Sequence, residues 1–578
     1  MTRALLLPAS LGLSILLSAC GPTTSRRTNN NGNNNNSGKD AGASVDLAKQ
    51  PNPNGDSDPA ASNPDLAGAE DPVLIAEDPK TCDEAAANKS YVGCDYWPTA
   101  VTNAVLPDFD FTVIVANVSA SDATVTVTGP NSVDLMETVP AGTLKKIYLP
   151  WVDAINPPAV ADREYGIAYP MAASIKSTGA AYHLVSSMPV VVYQFNPLEY
   201  KAAGGPVGKK WTMCEAQAGG TADCYSVSND ASLLLPSTAM TGNYRVASSF
   251  ARGGAGSYFA ITATTDGTSV TLKAGLNMKS LAGGGIKALT SGQTATFTMD
   301  AGDVVEIVSD PGTTLSPAPD TRELSGSLVQ ADKPVQVIAG DNCLANPKAG
   351  VFDFDPPTCD HVEEIVMPAE TLGKKYVVTV PSGPKLQKDT KHTVRIVGNV
   401  DGTKLTFAPV LSGVATTIGA GQVIEIDDSA SNFIVEGDHE FAVVFVQKSA
   451  KIVDATSTAP DQKGDPSLSA AVSVEQYRKN YVFLAPDDYD TSFVDIILPK
   501  GASITLDGAP IAGSPATVAN SDFQLVRVPL SNAGGGIHTI DADVPIGIQI
   551  IGYGSYTSYQ YPGGLNLKLI APPPEPLG

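Results

Sequence analysis

YFAITATTDGTSVTLK, residues 258–273, reads as two short strands of β-branched and aromatic residues separated by Thr265-Asp266-Gly267-Thr268. Period-two alternation in Ser269–Lys273, with Val270 and Leu272 on one side and Ser269 and Thr271 on the other, describes a half-buried strand. An Asp-Gly pair between alternating runs is a strong hairpin signal, because both central residues tolerate positive φ. Two more such turns, Val400-Asp401-Gly402-Thr403 and Leu506-Asp507-Gly508, extend the hairpin expectation along the chain.

The stretch also recurs. FTVIVANVSASDATVTVTG at 111–129, HTVRIVGNVDGTKLTF at 392–407 and SFVDIILPKGASITLDG at 492–508 read as versions of it. A later marker follows each: SSMPVVVYQF from Ser186, ADKPVQVIAG from Ala331, GDHEFAVVFV from Gly437 and ADVPIGIQII from Ala542. Pro189, Pro334, Glu440 and Pro545 align, so the period is the size of a domain rather than of a solenoid turn. A lead-in pair recurs at Leu233, Glu364 and Glu475. Helical periodicity is nearly absent. The expectation is an all-β protein of tandem antiparallel β-sandwich domains, with a β-propeller as the competing arrangement. The domains are placed at 81–230, 231–361, 362–462 and 463–569.

At these residues the chain resembles the N-terminal domain of IgGFc-binding proteins, best from about Ser232 to Phe407. The motifs are YFAITATTDGTSVTLK, LSGSLVQADKPVQVIAGDNC and CDHVEEIVMPAETLGKKYVV. The resemblance implies extracellular binding and brings no catalytic residues with it.

The N-terminus locates the protein. MTRALLLPASLGLSILLSAC has a basic start, an apolar run and a small-residue exit, the pattern of a secretory signal peptide. Leu17-Ser18-Ala19-Cys20 resembles a bacterial lipobox, which implies lipidation at Cys20 and a lipoprotein held in the cell envelope. The expected location is the outer membrane, exposed on the cell surface, with the membrane touched only through the N-terminal lipid. Residues 21–80 contain the asparagine tract and no aromatic side chain, the composition of a disordered stalk. APPPEPLG closes the chain as a Pro-rich tail at 570–578.

The 578 residues carry 37 basic and 60 acidic side chains, a net charge of −23 that disfavours nucleic acid as partner. Of seven cysteines, Cys20 is assigned to lipid. The other six allow 15 connectivities; short-loop pairing expects Cys82 with Cys94, Cys214 with Cys224 and Cys343 with Cys359, durable in an oxidising compartment.

Chemistry-bearing motifs are sparse. His183, His361, His392, His439 and His538 are scattered, and neither a GxSxG elbow nor a Walker loop occurs. Ser382-Gly-Pro-Lys385 matches SxxK in letters, but its proline spoils the helix that motif uses. Asp353, Asp355, Asp360, His361, Glu363 and Glu364 crowd the Cys343–Cys359 loop and its exit, and could offer hard oxygen ligands to Ca²⁺; a solvated acidic loop is the plainer reading. Asp487, Asp488 and Asp490 form a second acidic run with the same two readings. Tyr553, Tyr556, Tyr559 and Tyr561 are a candidate ligand patch, set against packing over their own sheet edge. The functional expectation is therefore a non-catalytic binder of an extracellular protein or glycan, without a cofactor. A self-associating envelope protein is the first alternative, and a secreted hydrolase built from distant carboxylates the second.

Overall fold

The structure is a computed structural model. It describes residues 79–577 apart from 104, 157–171, 216–223, 227, 251–255, 311–323, 347–358, 386–389, 459–460, 512–514 and 532–535. Cys20, the stalk residues before 79, Asp353 and Asp355 lie outside the described residues. Val73–Gly578 forms one compact unit.

Within it the chain repeats one pattern four times, clearest in the second copy. Strand Ser257–Ala263 pairs with Val304–Val308 on one side and Val335–Leu344 on the other, and Asp360–Ile365 adds beyond the latter. A second sheet has the order Thr294–Met299, Thr268–Lys273, Leu328–Ala331, Asn243–Arg245. Phe259, Ile261, Val305 and Val337 of the first sheet share a core with Val270, Leu272, Val329 and Tyr244 of the second. This is a sandwich of two antiparallel sheets.

The third copy uses Val423–Ser429, His392–Gly398, Phe441–Gln447 and Leu468–Ala470 against Thr417–Ile418, Thr403–Ala408, Phe433–Gly437 and Lys375–Val378. In the first and fourth copies the two return strands fuse. His183–Phe195 and Ile537–Gly554 each run from one sheet into the other.

The first sheets are the inner ones. Their last strands, Ala231–Leu233, Asp360–Ile365, Leu468–Ala470 and Thr557–Pro562, meet in cyclic order around a common axis. Both expected arrangements therefore hold at different levels: each copy is a sandwich, and the inner sheets stand as four blades of a propeller-like ring. Burial follows. Ser257–Ala263 and His392–Gly398 are buried throughout, whereas Thr268–Lys273 and Thr403–Ala408 alternate. Inner strands are covered on both faces, outer strands on one. The boundaries expected at 231, 362 and 463 fall at or beside innermost strands, which pair with the copy before them and lead into the copy after.

The hairpin reading is corrected at two of the three Asp-Gly turns. Ser257–Ala263 and Thr268–Lys273 do not pair with each other, because the turn carries the chain from inner to outer sheet. Only Gly267, not Asp266, has positive φ. The Asp266 carboxylate instead accepts the Ala301 N–H at 3.0 Å, tying this turn to the next one. Asp401 does the same for Ala420 at 2.8 Å and Asp122 for Ala141 at 3.0 Å. At Asp507-Gly508 both residues have positive φ and Leu506 pairs with Ala509, a true two-residue hairpin.

A tyrosine locks each copy. The hydroxyls of Tyr96, Tyr244 and Tyr376 donate to the carbonyls of Val190, Val335 and Phe441 at 2.7, 2.6 and 2.6 Å, and Tyr481 donates to Ile546. Each acceptor immediately follows an aligned marker residue, Pro189, Pro334, Glu440 or Pro545, so the same bond joins an outer edge strand to the start of an inner strand four times.

Candidate functional site

The acidic cluster at the exit of the Cys343–Cys359 loop lies on the ring axis. In register, Ala231, Glu363, Leu468 and Gln560 stand opposite Phe195, Gly340, Val446 and Ile551, each six residues past a marker. An innermost strand has an unpaired edge, so its inward N–H groups need acceptors. One side chain supplies an acceptor to every blade. The buried Asp230 carboxylate accepts the N–H of Ala231 at 2.9 Å, Glu363 at 3.1 Å, Leu468 at 2.9 Å and Gln560 at 3.4 Å, one from each blade.

Two further carboxylates continue along the axis. Glu364 accepts from the N–H of Ile365 at 2.9 Å and Ala470 at 3.2 Å. Asp360 accepts from the Asn229 N–H at 2.6 Å and the Thr557 hydroxyl at 2.8 Å. Burial pushes all three carboxyls well above their ordinary range, against the hydrogen bonds that favour the charged form. Glu363 accepts from the Gln194 and Asn196 amides at 3.1 and 3.2 Å, and His361 Nε2 lies 3.2 Å from the Asn196 amide nitrogen. The carboxyl oxygens of Asp230, Asp360 and Glu364 are taken up by N–H and O–H donors rather than turned towards a shared Ca²⁺ position. Among the described residues no group of three or more His, Cys, Asp or Glu is placed to hold a metal ion.

The tyrosine patch is corrected. Tyr553, Tyr559 and Tyr561 are wholly buried, because ring closure packs the first copy over Tyr559 and Tyr561 and the third copy packs over Tyr553. The Tyr561 ring centroid lies 5.0 Å from that of Tyr193, and the Tyr559 centroid 4.6 Å from that of Tyr489. The Tyr553 hydroxyl donates to the Ser382 carbonyl at 2.6 Å. Tyr556, in the turn between Gly554 and Thr557, has φ 51°. The acidic run is salt-bridged: Asp487 and Asp488 to Lys146 at 2.8 and 2.6 Å, and Asp490 to Lys463. Lys385 pairs with Asp454 at 3.2 Å. Cys82–Cys94, Cys214–Cys224 and Cys343–Cys359 are bonded, with Cα separations of 5.7, 5.5 and 5.1 Å.

The recess best suited to a ligand lies at the seam between the first and second copies, a groove of about 350 Å³. The outer edge strand Gly93–Tyr96 brings Asp95, and His183 opens the fused strand opposite. His183 Nε2 lies 2.8 Å from Asp95 Oδ2, both side chains about a third exposed at 34% and 36%. The Trp97 ring stacks on the imidazole, with centroids 4.2 Å apart and planes at 10°. Burial would raise the Asp95 carboxyl, but hydrogen bonds from His183, Ser237 and Trp97 outweigh it and hold the group below its ordinary 3.8. Ser237 and Thr238 line the wall from the short 3₁₀ turn Ser237–Ala239; Thr264, Thr265 and Pro334 line it from the second copy's own turns. A carboxylate, an imidazole, an aromatic ring and several hydroxyls thus converge in one open concavity. Sequence reasoning passed over Asp95, Trp97 and Asp230. The available signal was the run CDYW, residues 94–97, where a carboxylate stands directly before two aromatic residues.

The sequence profile described as IgGFc binding protein matches residues 230–552, more than half of the 578. The chain belongs to the IgGFc-binding family. The family match begins at Asp230, the axial carboxylate, and covers the second, third and most of the fourth copy. A human protein described as IgGFc-binding protein is 25% identical over 278 residues, 47% of this chain and 5% of the relative. The chain therefore spans a small fraction of that relative's length. Among solved structures, an anti-sigma factor domain-containing protein from Clostridium clariflavum aligns over 78% of this chain and 98% of its own at 10% identity, with a TM-score of 0.10, too low to carry an argument.

Proposed function

We propose that this member of the IgGFc-binding family is a non-catalytic binding protein of the bacterial cell surface, lipidated at Cys20 and directed at an extracellular protein or glycan, with no role for nucleic acid. The observation that carries the reading is the seam groove. A sugar ring offers an apolar CH face and a rim of hydroxyls. The His183 imidazole, backed by the buried Trp97 ring, supplies a flat wall, while Asp95, Ser237, Thr238 and Thr264 supply acceptors and donors at its edge. This favours a glycan over a flat protein epitope as the ligand of that groove. A rigid scaffold suits the task, since a ring whose seams are hydrogen-bonded keeps the groove preorganised.

The human relative is described as binding IgG Fc, which makes Fc the protein ligand to test beside glycans. Purified residues 79–578 would be applied to a glycan array and, separately, to immobilised Fc. Glycan binding lost in His183→Ala and Asp95→Asn supports the groove; Fc binding untouched by both variants moves the ligand elsewhere on the molecule. Concentration-dependent self-association with neither ligand bound would instead favour the structural envelope protein. Metabolic labelling with a fatty acid checks the anchor: incorporation that persists after Cys20→Ala contradicts it.

A further inference from the structure

After the last innermost strand the chain crosses all four copies. The Tyr91 N–H donates to the Leu565 carbonyl at 3.3 Å and the Leu567 N–H to that of Lys89 at 2.9 Å; both leucines are buried. Gln476 Nε2 donates to the Lys568 carbonyl at 2.9 Å, and the N–H groups of Ile570 and Ala571 to that of Glu370 at 2.8 and 2.9 Å. From Pro572 the character changes. Pro572, Pro573, Glu575 and Pro576 are exposed, Pro574 and Leu577 half-buried, and the segment lies on the outward face of the second copy.

One side chain holds it there. Gln330 Nε2 donates to the carbonyls of Pro574 at 3.3 Å and Glu575 at 3.2 Å, and Gln330 Oε1 accepts the Leu577 N–H at 2.6 Å. Register places Gln330 between Asn243 and Thr271 in a polar row across the sheet, and Asn243 Oδ1 lies 3.3 Å from Gln330 Nε2. The chemistry is selective. Proline has no N–H, and an extended proline-rich segment makes no internal hydrogen bonds, so it presents successive free carbonyls. A primary amide with two donors and one acceptor matches two carbonyls followed by the first N–H beyond the prolines.

We propose that the face formed by Asn243, Gln330 and Thr271 is a docking site for an extended proline-rich segment of another polypeptide, and that residues 572–577 are its displaceable resident. The buried Leu565 and Leu567 keep the resident at high local concentration, while its own seat half-buries Pro574 and Leu577 and leaves the other four residues exposed. It therefore occupies the site by tethering rather than by tight contact. This site is separate from the seam groove and does not depend on what the groove binds.

The test uses the full chain and a full-length variant in which 572–577 is replaced by glycine and serine, with a fluorescent PPPEPL peptide as probe and anisotropy as readout. The tail-replaced chain should bind the peptide about tenfold or more tightly than the unaltered chain, the gain expected when a tethered competitor is removed. In the tail-replaced background Gln330→Ala should lose the binding, as should Gln330→Glu, which exchanges the donor pair for acceptors. Melting temperature of each variant verifies folding. No binding by the tail-replaced chain, equal binding by the unaltered chain, or undiminished binding by a folded Gln330 variant would each overturn the proposal.

Discussion

The Asp230 carboxylate accepts the Leu468 N–H at 2.9 Å across 238 residues of sequence. Leu468 belongs to the third copy, whereas Asp230 directly precedes the innermost strand of the first, so the bond spans the ring. With the equivalent N–H groups of Ala231, Glu363 and Gln560 it makes one side chain the common acceptor of all four blades. Four inner edges that would otherwise invite other strands are thereby satisfied within the molecule.

Asp230→Ala should be among the most destabilising single changes in the chain. It leaves inward N–H groups buried and unpaired, each costing about 1–3 kcal/mol, so the denaturant midpoint should fall by an amount equivalent to several kcal/mol. Asp230→Asn, which keeps one acceptor oxygen, should lose less. A midpoint shift within error for the alanine variant would show that the axis is held by something else.

The four tyrosine locks should behave alike. Tyr96→Phe, Tyr244→Phe, Tyr376→Phe and Tyr481→Phe each remove one hydroxyl and leave a buried carbonyl short of its donor, with an expected loss of about 1–2 kcal/mol apiece. Urea unfolding of the four single variants checks this. A spread in which one variant is neutral would break the equivalence of the copies.

Glu199 sets a pH dependence. Its side chain is 1% exposed, and no other described residue donates a hydrogen bond to its carboxylate. Burial first, and the charge of Asp110 second, raise its pKa from 4.5 to about 7. The neutral acid is thus preferred in the folded state. Its contribution is complete below pH 4.5 and is lost as the pH rises through about 7, the unfolded chain ionising first. Glu199→Gln should leave the melting temperature unchanged near pH 4 and raise it at pH 8, by an amount equivalent to about 1–3 kcal/mol. Calorimetry across that range would show parallel curves for variant and parent if the assignment were wrong.

Much of this fold was legible in one dimension. Alternation in Ser269–Lys273 announced a strand wet on one face, while the burial of YFAITA on both faces became visible only in the ring. The aligned Pro189, Pro334, Glu440 and Pro545 marked the starts of the inner return strands. The tyrosines of NYR, KYV and NYV stood in the lead-in repeats as well, although only coordinates show what their hydroxyls reach. Partnership between sheets was not legible: Asp266-Gly267 and Asp507-Gly508 look alike, yet one turn switches sheets and the other closes a hairpin. Both carboxylates accept a backbone N–H from elsewhere, Asp266 that of Ala301 in a second turn and Asp507 that of Thr539 in the neighbouring strand, so the choice of partner is made in three dimensions. Nor could sequence tell that Glu363 faces the side-chain amides of Gln194 and Asn196 and that Glu364 faces the Ala470 N–H, since those donors come from segments more than a hundred residues away.

In the seam groove the Asp95–His183 contact of 2.8 Å and the imidazole stacked on Trp97 form the proposed recognition wall. The measurement is titration calorimetry of residues 79–578 and of the folded His183→Ala and Asp95→Asn variants with the glycan that binds most tightly on an array. Saturable binding by the parent is expected, with an affinity at least about tenfold weaker in each variant, the loss of roughly 1.4 kcal/mol expected for one polar contact. Equal affinity in parent and variants would contradict the proposed recognition wall.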